Sequence, residues 1–390
     1  MSWSKRISPS VNAIAPSGIR RFFDIAAEME DVISLGVGEP DFITPWHIRE
    51  SCVYGLEQGY TAYTANRGLL ELREEIVRLL LRDHQVSYDP KKEVLITVGV
   101  SEALDLALRT VVSPGDEVLI PEPCYVSYKA CVTLAGGNPI GVPTSIENEF
   151  RITVEDLEKH LTPKTKVLLI GYPNNPTGAV MTKEGLLEIA KFAEAHDLIV
   201  ISDEIYSNLV YGDAVHTCFS ALPNMQDRTI LLNGFSKSYA MTGWRIGYAL
   251  ANPEFISAMT KIHQYTMLCA PITAQIAAVE ALRHGESNMK KMVAEYDRRR
   301  HLILDGMRNM GLECFEPKGA FYIFPCIKNT GLSSEEFAEQ LLRSERVALV
   351  PGNAFGESGE GFVRCSYATS VSKISEALNR IENFVKKHIR

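Results

Sequence analysis

VLLIGYPNNPTGAVMTKEGLLEIAKFAEAHDLIVISDEIY, residues 167–206, carries two unbroken apolar runs, Val167–Ile170 and Leu198–Ile201. Runs this short and this rich in Val, Leu and Ile are what strands buried on both faces require. Between them, after Thr182, residues Leu186, Ile189, Ala190 and Ala193 fall on one stripe of a helix. Strand, helix, strand in succession is the pattern of an α/β layer structure with a mainly parallel sheet.

The pattern continues outward in both directions. Val94–Val98, Val118–Ile120 and Ile230–Leu232 are further apolar runs, and Ala103, Leu104, Ala107, Leu108 and Val111 predict a helix over 101–112. The two ends read differently. Leu69, Leu72, Ile76, Leu79 and Leu80 mark a helix after Gly68, and Ile374, Ala377, Leu378, Ile381 and Val385 mark another near the C-terminus. Between about 290 and 370 helix mixes with short strands at Phe321–Phe324, Val347–Val350 and Phe362–Ser366, more α+β than the centre. The expected fold is therefore α/β: a large domain with a mainly parallel mixed sheet flanked by helices, plus a smaller α+β domain built from both termini. The expected boundaries are 1–45 for the N-terminal segment, 46–285 for the large domain and 286–390 for the small one.

Composition narrows the function. The chain has 40 Lys+Arg and 48 Asp+Glu, a net charge of −8, so it lacks the basic footprint that phosphate backbones select, and nucleic-acid binding is not expected. Its N-terminal stretch has no apolar segment of the secretory kind, and no run nears the ~18 apolar residues a bilayer needs. The expectation is a soluble, cytoplasmic protein. Eight scattered cysteines without a CxxC read as free thiols, and nine histidines without HExxH give no metal site.

In a parallel sheet ligands bind beyond the carboxyl ends of the strands, so the residues following each run matter most. After Val94–Val98 come Gly99, Val100, Ser101 and Glu102, which read either as an ordinary capped helix start or as a phosphate cradle of free N–H groups. After Val167–Ile170 comes GYPNNPTG, a tight polar turn or a rigid loop aiming the Asn175 amide at a ligand. After Leu198–Ile201, Asp203 ends a buried strand; its partner is a Lys or Arg of the protein or a cationic ring nitrogen of a cofactor. After Ile230–Leu232, Lys237 sits among Gly, Ser and aromatics with Arg245 eight residues on, a setting that lowers an amine's pKa and makes it a nucleophile toward carbonyls. Taken together, an amine, a carboxylate, an amide, a phenol and an anion cradle at one sheet edge are the set pyridoxal 5'-phosphate needs.

The strings ISLGVGEPDF (33–42), YPNNPTGAV (172–180), SDEIY (202–206), SKSYAMTGWRIGY (236–248) and FVRCSYA (362–368) resemble the class I/II aminotransferases, fold-type I pyridoxal-phosphate enzymes, in their aspartate/aromatic branch. The resemblance implies a large cofactor-binding domain in which Lys237 holds the cofactor covalently and then acts as general base. By the same resemblance Asp203 pairs with the pyridinium nitrogen, Asn175 and Tyr206 reach the ring's 3′ oxygen, and Tyr125 stacks on the ring. The phosphate is implied to lie on the amides of Val100, Ser101 and Glu102 with Ser236 and Arg245, and Tyr63 to reach it across a homodimer interface. Arg364 is implied to grip the substrate carboxylate, with Gly38 lying against the substrate, and the segment around Ile19–Phe23 to form a lid. The implied reaction moves an amino group from an L-amino acid, aromatic, aspartate-like or broadly chosen, to 2-oxoglutarate in ping-pong order.

Two departures stand out. Gly234 occupies a position where some members have a phosphate-contacting Ser, and Ser101 one where aspartate specialists often carry Lys. The nearest rival reading is a C–S β-lyase of the same superfamily. A cofactor-sensing regulator would need an N-terminal DNA-binding extension, and a nicotinamide dehydrogenase a GxGxxG loop; neither pattern fits the residues.

Overall fold

The computed structural model describes residues 3–14 and 29–389. Among them, strands in chain order are β1 (Ile33–Ser34), β2 (Val94–Thr97), β3 (Glu117–Glu122), β4 (Asn138–Pro143), β5 (Thr165–Gly171), β6 (Ile199–Asp203), β7 (Thr229–Gly234), β8 (Gly247–Leu250), β9 (Tyr322–Ile323), β10 (Val347–Ala348), β11 (Val350–Pro351) and β12 (Val363–Ser366). Seven of these form one sheet in the order β2-β8-β7-β6-β5-β3-β4. Only β8 runs against its neighbours β2 and β7, so the sheet is mixed but mainly parallel.

The unbroken apolar runs are explained by burial on both sides. Val167 and Leu169 of β5 point into a core shared with helix Gly99–Val111 and helix Pro253–Thr266. Leu168 and Ile170 point the other way, into a core shared with Leu186, Ile189 and Ala190 of helix Lys183–Ala195. Alternate residues of one strand thus supply two helix-covered faces, each buried side chain contributing roughly 1.5–3 kcal/mol. Strands β4 and β8 were not among the sequence-predicted runs. The first, NPIGVP, is a sheet edge with half-buried positions, and the second, GYAL, is four residues long.

The remaining strands assemble from distant parts of the chain. β1 pairs in parallel with β10, and β11, β12 and β9 form an antiparallel sheet. Leu35 enters the same core as Tyr296, Phe321, Ile374, Ile381 and Phe384, so an N-terminal segment packs with the C-terminal third. The described part of the expected 101–112 helix begins two residues earlier, at Gly99, because the Glu102 carboxylate accepts the Val98 N–H at 2.5 Å and caps the turn from inside. All eight cysteines are free. Among the described residues no helix is long and apolar enough to cross a membrane.

Candidate active site

Because β2, β3, β5, β6 and β7 run in one direction, their carboxyl ends meet at a single edge of the sheet. Gly99 leaves β2 with φ +74°, a left-handed turn that glycine adopts without strain, and the Arg245 guanidinium lies against its Cα face, with Nη2 2.6 Å from where a Cβ would stand. Gly247 lets β8 approach Gly99 and Val100 as closely. Val100, Ser101 and Glu102 therefore offer helix-start N–H groups beside a guanidinium, with Ser236 buried on the adjacent loop. At Gly234 a Cβ would lie 3.1 Å from Gly247 Cα and from Val100 Cγ2, so the tight β7–β8 approach accounts for glycine there.

Asp203 ends β6, fully buried, and its partners are neutral. Oδ2 accepts from the Tyr128 hydroxyl at 2.9 Å and Oδ1 from the Ile205 N–H at 3.2 Å. Among the described residues no Lys or Arg pairs with it. Burial pushes the carboxyl up to about 6, against the Tyr128 hydrogen bond, which lowers it. The next residue, Glu204, points elsewhere and is satisfied by His216 at 2.7 Å, Ser202 at 2.9 Å and the Phe219 N–H at 2.9 Å. For Glu204 burial alone would raise the carboxyl, yet the histidine and these donors hold it below the usual range.

Lys237 donates to the Gly38 carbonyl at 2.6 Å, and its Nζ lies 5.8 Å from the Tyr206 ring centre and 5.6 Å from that of Phe321. The residue is only partly buried, but its ammonium end is enclosed. Burial lowers it to about 8, with Arg364 and Arg245 adding to the effect and Glu39 and Asp203 opposing it. The Tyr206 hydroxyl shares a hydrogen bond of 2.8 Å with that of Tyr322, and burial raises the Tyr206 phenol well above its ordinary value.

Arg364, on β12, is 4% exposed. Its Nη1 donates to the Asn175 Oδ1 at 2.9 Å and its Nη2 to the Gly36 carbonyl at 2.6 Å, and the guanidinium lies 4.5 Å from the Tyr322 ring centre and 4.8 Å from that of Phe355. No carboxylate among the described residues pairs with it, and its Nε is buried with no partner. Asn175 thus spends its oxygen on Arg364, which leaves its NH2 end as the donor. Gly38 is required by Tyr322, whose Oη lies 2.5 Å from any Cβ at that position.

Eleven of the predicted residues, including Lys237, Asp203, Tyr206, Asn175 and Arg364, thus fall within one cluster, and Tyr125 joins it with its ring edge-to-face to Tyr128 at 5.6 Å. Tyr63 does not: it is 82% exposed on the outer surface. Ile19–Phe23 lie outside the described residues. Sequence reasoning missed Tyr128 and Tyr322. Tyr128 stands one helical turn beyond Tyr125, a spacing that brings two rings to one side, whereas nothing local marks Tyr322, whose contacts come from elements far away in the chain.

The family model described as aminotransferase class I and II matches residues 30–381. Over 381 residues the chain is 55% identical to YugH of Bacillus subtilis, with 98% of each chain covered. It is 49% identical over 383 residues to an aspartate aminotransferase of Pyrococcus abyssi, again covering 98% of each chain. Among solved structures, an aromatic aminotransferase of Pyrococcus horikoshii superposes with a TM-score of 0.91 at 47% identity, covering 95% of this chain and 99% of that one. Enzymes of this family are generally dependent on pyridoxal phosphate, act on small molecules and share the fold-type I architecture described above. The chain belongs to the class I and II aminotransferases.

Proposed function

We propose that the chain is a pyridoxal-phosphate-dependent transaminase that takes the amino group of an L-amino acid, aromatic or aspartate-like, and passes it to 2-oxoglutarate in ping-pong order. One observation carries the reading: three buried ions share a site without neutralising one another. Among the described residues Asp203 has only neutral donors, Arg364 only neutral acceptors and an orphaned N–H, and Lys237 has an amine lowered to about 8. A buried charge without its counter-charge costs several kcal/mol, so each implies a ligand group of opposite sign or matching reactivity.

Pyridoxal phosphate fits these residues. Asp203 suits a pyridinium N–H, Lys237 an aldehyde, Asn175 and Tyr206 a ring oxygen, and the Val100–Glu102 turn with Ser236 and Arg245 a phosphate. When bound, the cofactor supplies an electron sink that makes a substrate Cα–H acidic. What the chain does follows from its own groups. Arg364 takes the substrate carboxylate in two parallel hydrogen bonds, releasing Gly36 or Asn175, and so fixes the amino acid's orientation. Lys237, freed at Nζ, removes the Cα proton and redelivers it, a task suited to an amine titrating near neutral pH.

In this reading residues 46–285 carry the cofactor loops, while 1–45 and 286–390 bring the substrate-gripping side. Tyr63 acts in a second copy of the chain. The support is the exposure of large apolar side chains at Trp46, Tyr54, Tyr60 and Tyr63, with Tyr265 and Met267 exposed as well. Ser101 in place of a cation leaves the described site without a second grip for a distal carboxylate, which favours aromatic donors over strict aspartate use.

The test is an absorbance series on the loaded protein. A visible band that disappears with phenylalanine, tyrosine or aspartate and returns with 2-oxoglutarate supports the reading and ranks donors. A band that persists while pyruvate and ammonia accumulate from cystathionine marks the β-lyase instead.

A further inference from the structure

Gly171 is the last residue of β5, and in the sheet register it stands directly beside Asp203, the last residue of β6. The Tyr128 hydroxyl occupies the space a side chain at 171 would take: a Cβ built on Gly171 collides with Tyr128 Oη and lies 3.2 Å from Cζ. The phenol thus crosses the bare backbone of β5 to reach Asp203 Oδ2 at 2.9 Å. Its other side is fixed by the edge-to-face contact with Tyr125 at 5.6 Å, and its backbone N–H donates to the Tyr125 carbonyl at 3.0 Å. Tyr128 therefore touches both a residue suited to the cofactor's ring face and the residue suited to its ring nitrogen, while remaining buried itself.

We propose that Tyr128 is a positioning residue that orients the Asp203 carboxylate and holds it ionised, and that Gly171 is the slot which admits the phenol. The inference rests on the reading of Asp203 as the partner of a cationic ring nitrogen. The physical need is clear from the surroundings. Burial disfavours the Asp203 anion, and the neighbouring Glu204 carboxylate disfavours it further. On the favourable side stand the Tyr128 hydroxyl, the Ile205 N–H and the more distant Lys237 ammonium. Cys124, also beside Tyr128, is buried and neutral, pushed up to about 12. Tyr128 is the one side-chain hydrogen-bond donor to Asp203 among the described residues. It is also a safe donor: burial and the adjoining carboxylate raise its own pKa well above the ordinary value, so it keeps its proton.

The test is Tyr128→Phe, which keeps the ring and removes the hydroxyl. Two quantities are read on the full chain: the pH profile of pyridoxal phosphate affinity of the apoprotein, and the infrared stretch of the protonated Asp203 carboxyl, assigned with Asp203→Asn. A hydrogen bond to a charged group is worth enough to move a carboxyl by roughly one pH unit. The acid limb of the affinity profile is expected to move up by about that much, so that binding weakens several-fold at pH 6.5 and little at pH 8.5. The protonated-carboxyl band should persist to correspondingly higher pH. Gly171→Ala, which displaces the phenol but keeps the hydroxyl, is expected to move both readouts in the same direction and serves if Tyr128→Phe fails to fold. An acid limb and a carboxyl band that stay in place, or an equal loss of affinity at every pH, would overturn the proposal. Should wild-type protein bind no pyridoxal phosphate while the carboxyl band still shifts, the proposed function fails and the role of Tyr128 stands.

Discussion

The two sides of the site treat their ions differently. On the large sheet, Asp203 and Glu204 are adjacent carboxylates, each met by hydrogen bonds from its own surroundings, Tyr128 for one and His216 for the other. On the small sheet, Arg364 is held, among the described residues, only by an amide oxygen, a backbone carbonyl and two aromatic faces, with one N–H unmet. In the proposed reading the sheet side tunes a permanent resident, with Asp203 hydrogen-bonded by the chain and its charge left for the resident to match. In the same reading the Arg364 side takes a visitor, because its neutral contacts can be exchanged for a carboxylate at small cost.

Substitutions can separate the two roles. Lys237→Ala removes the one group expected to serve both sides, and kcat should fall on the order of 10⁴-fold, the upper range for losing a general base. Steady-state turnover with an aromatic donor checks it. Asp203→Asn should lower kcat by about 10²–10³-fold, as for loss of an electrostatic partner. Its effect on the apoprotein runs the other way. A carboxyl raised to about 6 in the folded state stabilises below the unfolded value and loses that contribution as pH rises through 6. Above pH 7 the anion therefore costs stability, and urea melts of apo Asp203→Asn should show a gain of about 1–3 kcal/mol at pH 7.5 that vanishes toward pH 4.

Arg364→Lys should raise KM for the amino acid roughly 10²-fold through loss of the two-point grip, while pyridoxal phosphate affinity stays at the wild-type value. Equal weakening of both would erase the distinction between the sides. The smallest effect is a pH effect on the wild type. With Lys237 lowered to about 8 in the ligand-free chain, the fraction of neutral amine, and with it the rate of pyridoxal phosphate uptake, should rise about tenfold between pH 7 and pH 9. Stopped-flow mixing of apoprotein and cofactor reads it.

The same contrast decides what could be read from the residues alone. Asp203 and Lys237 each follow an unbroken apolar run, so strand ends announced them. Arg364 sits inside a strand rather than beyond the end of one, and only the resemblance of FVRCSYA assigned it a task. The supporting contacts were invisible because they join distant positions: Tyr128 to Asp203, Tyr206 to Tyr322, Arg364 to Asn175. β8 escaped notice for a related reason. Four residues beginning with glycine make no periodic pattern, and what defines the strand is its pairing with β2 and β7. Asp203 was expected to face either a protein cation or a ligand; it meets a neutral phenol, and among the described residues no Lys or Arg pairs with it.

In the proposed function, cofactor and chain join at Lys237. Borohydride reduction of the pyridoxal-phosphate-loaded protein, followed by proteolysis and mass analysis, tests it directly. One phosphopyridoxyl label per chain is expected, on the peptide containing Lys237, and none when the chain is first converted by an amino-acid donor. A label spread over surface lysines, or absent from the Lys237 peptide, would contradict it.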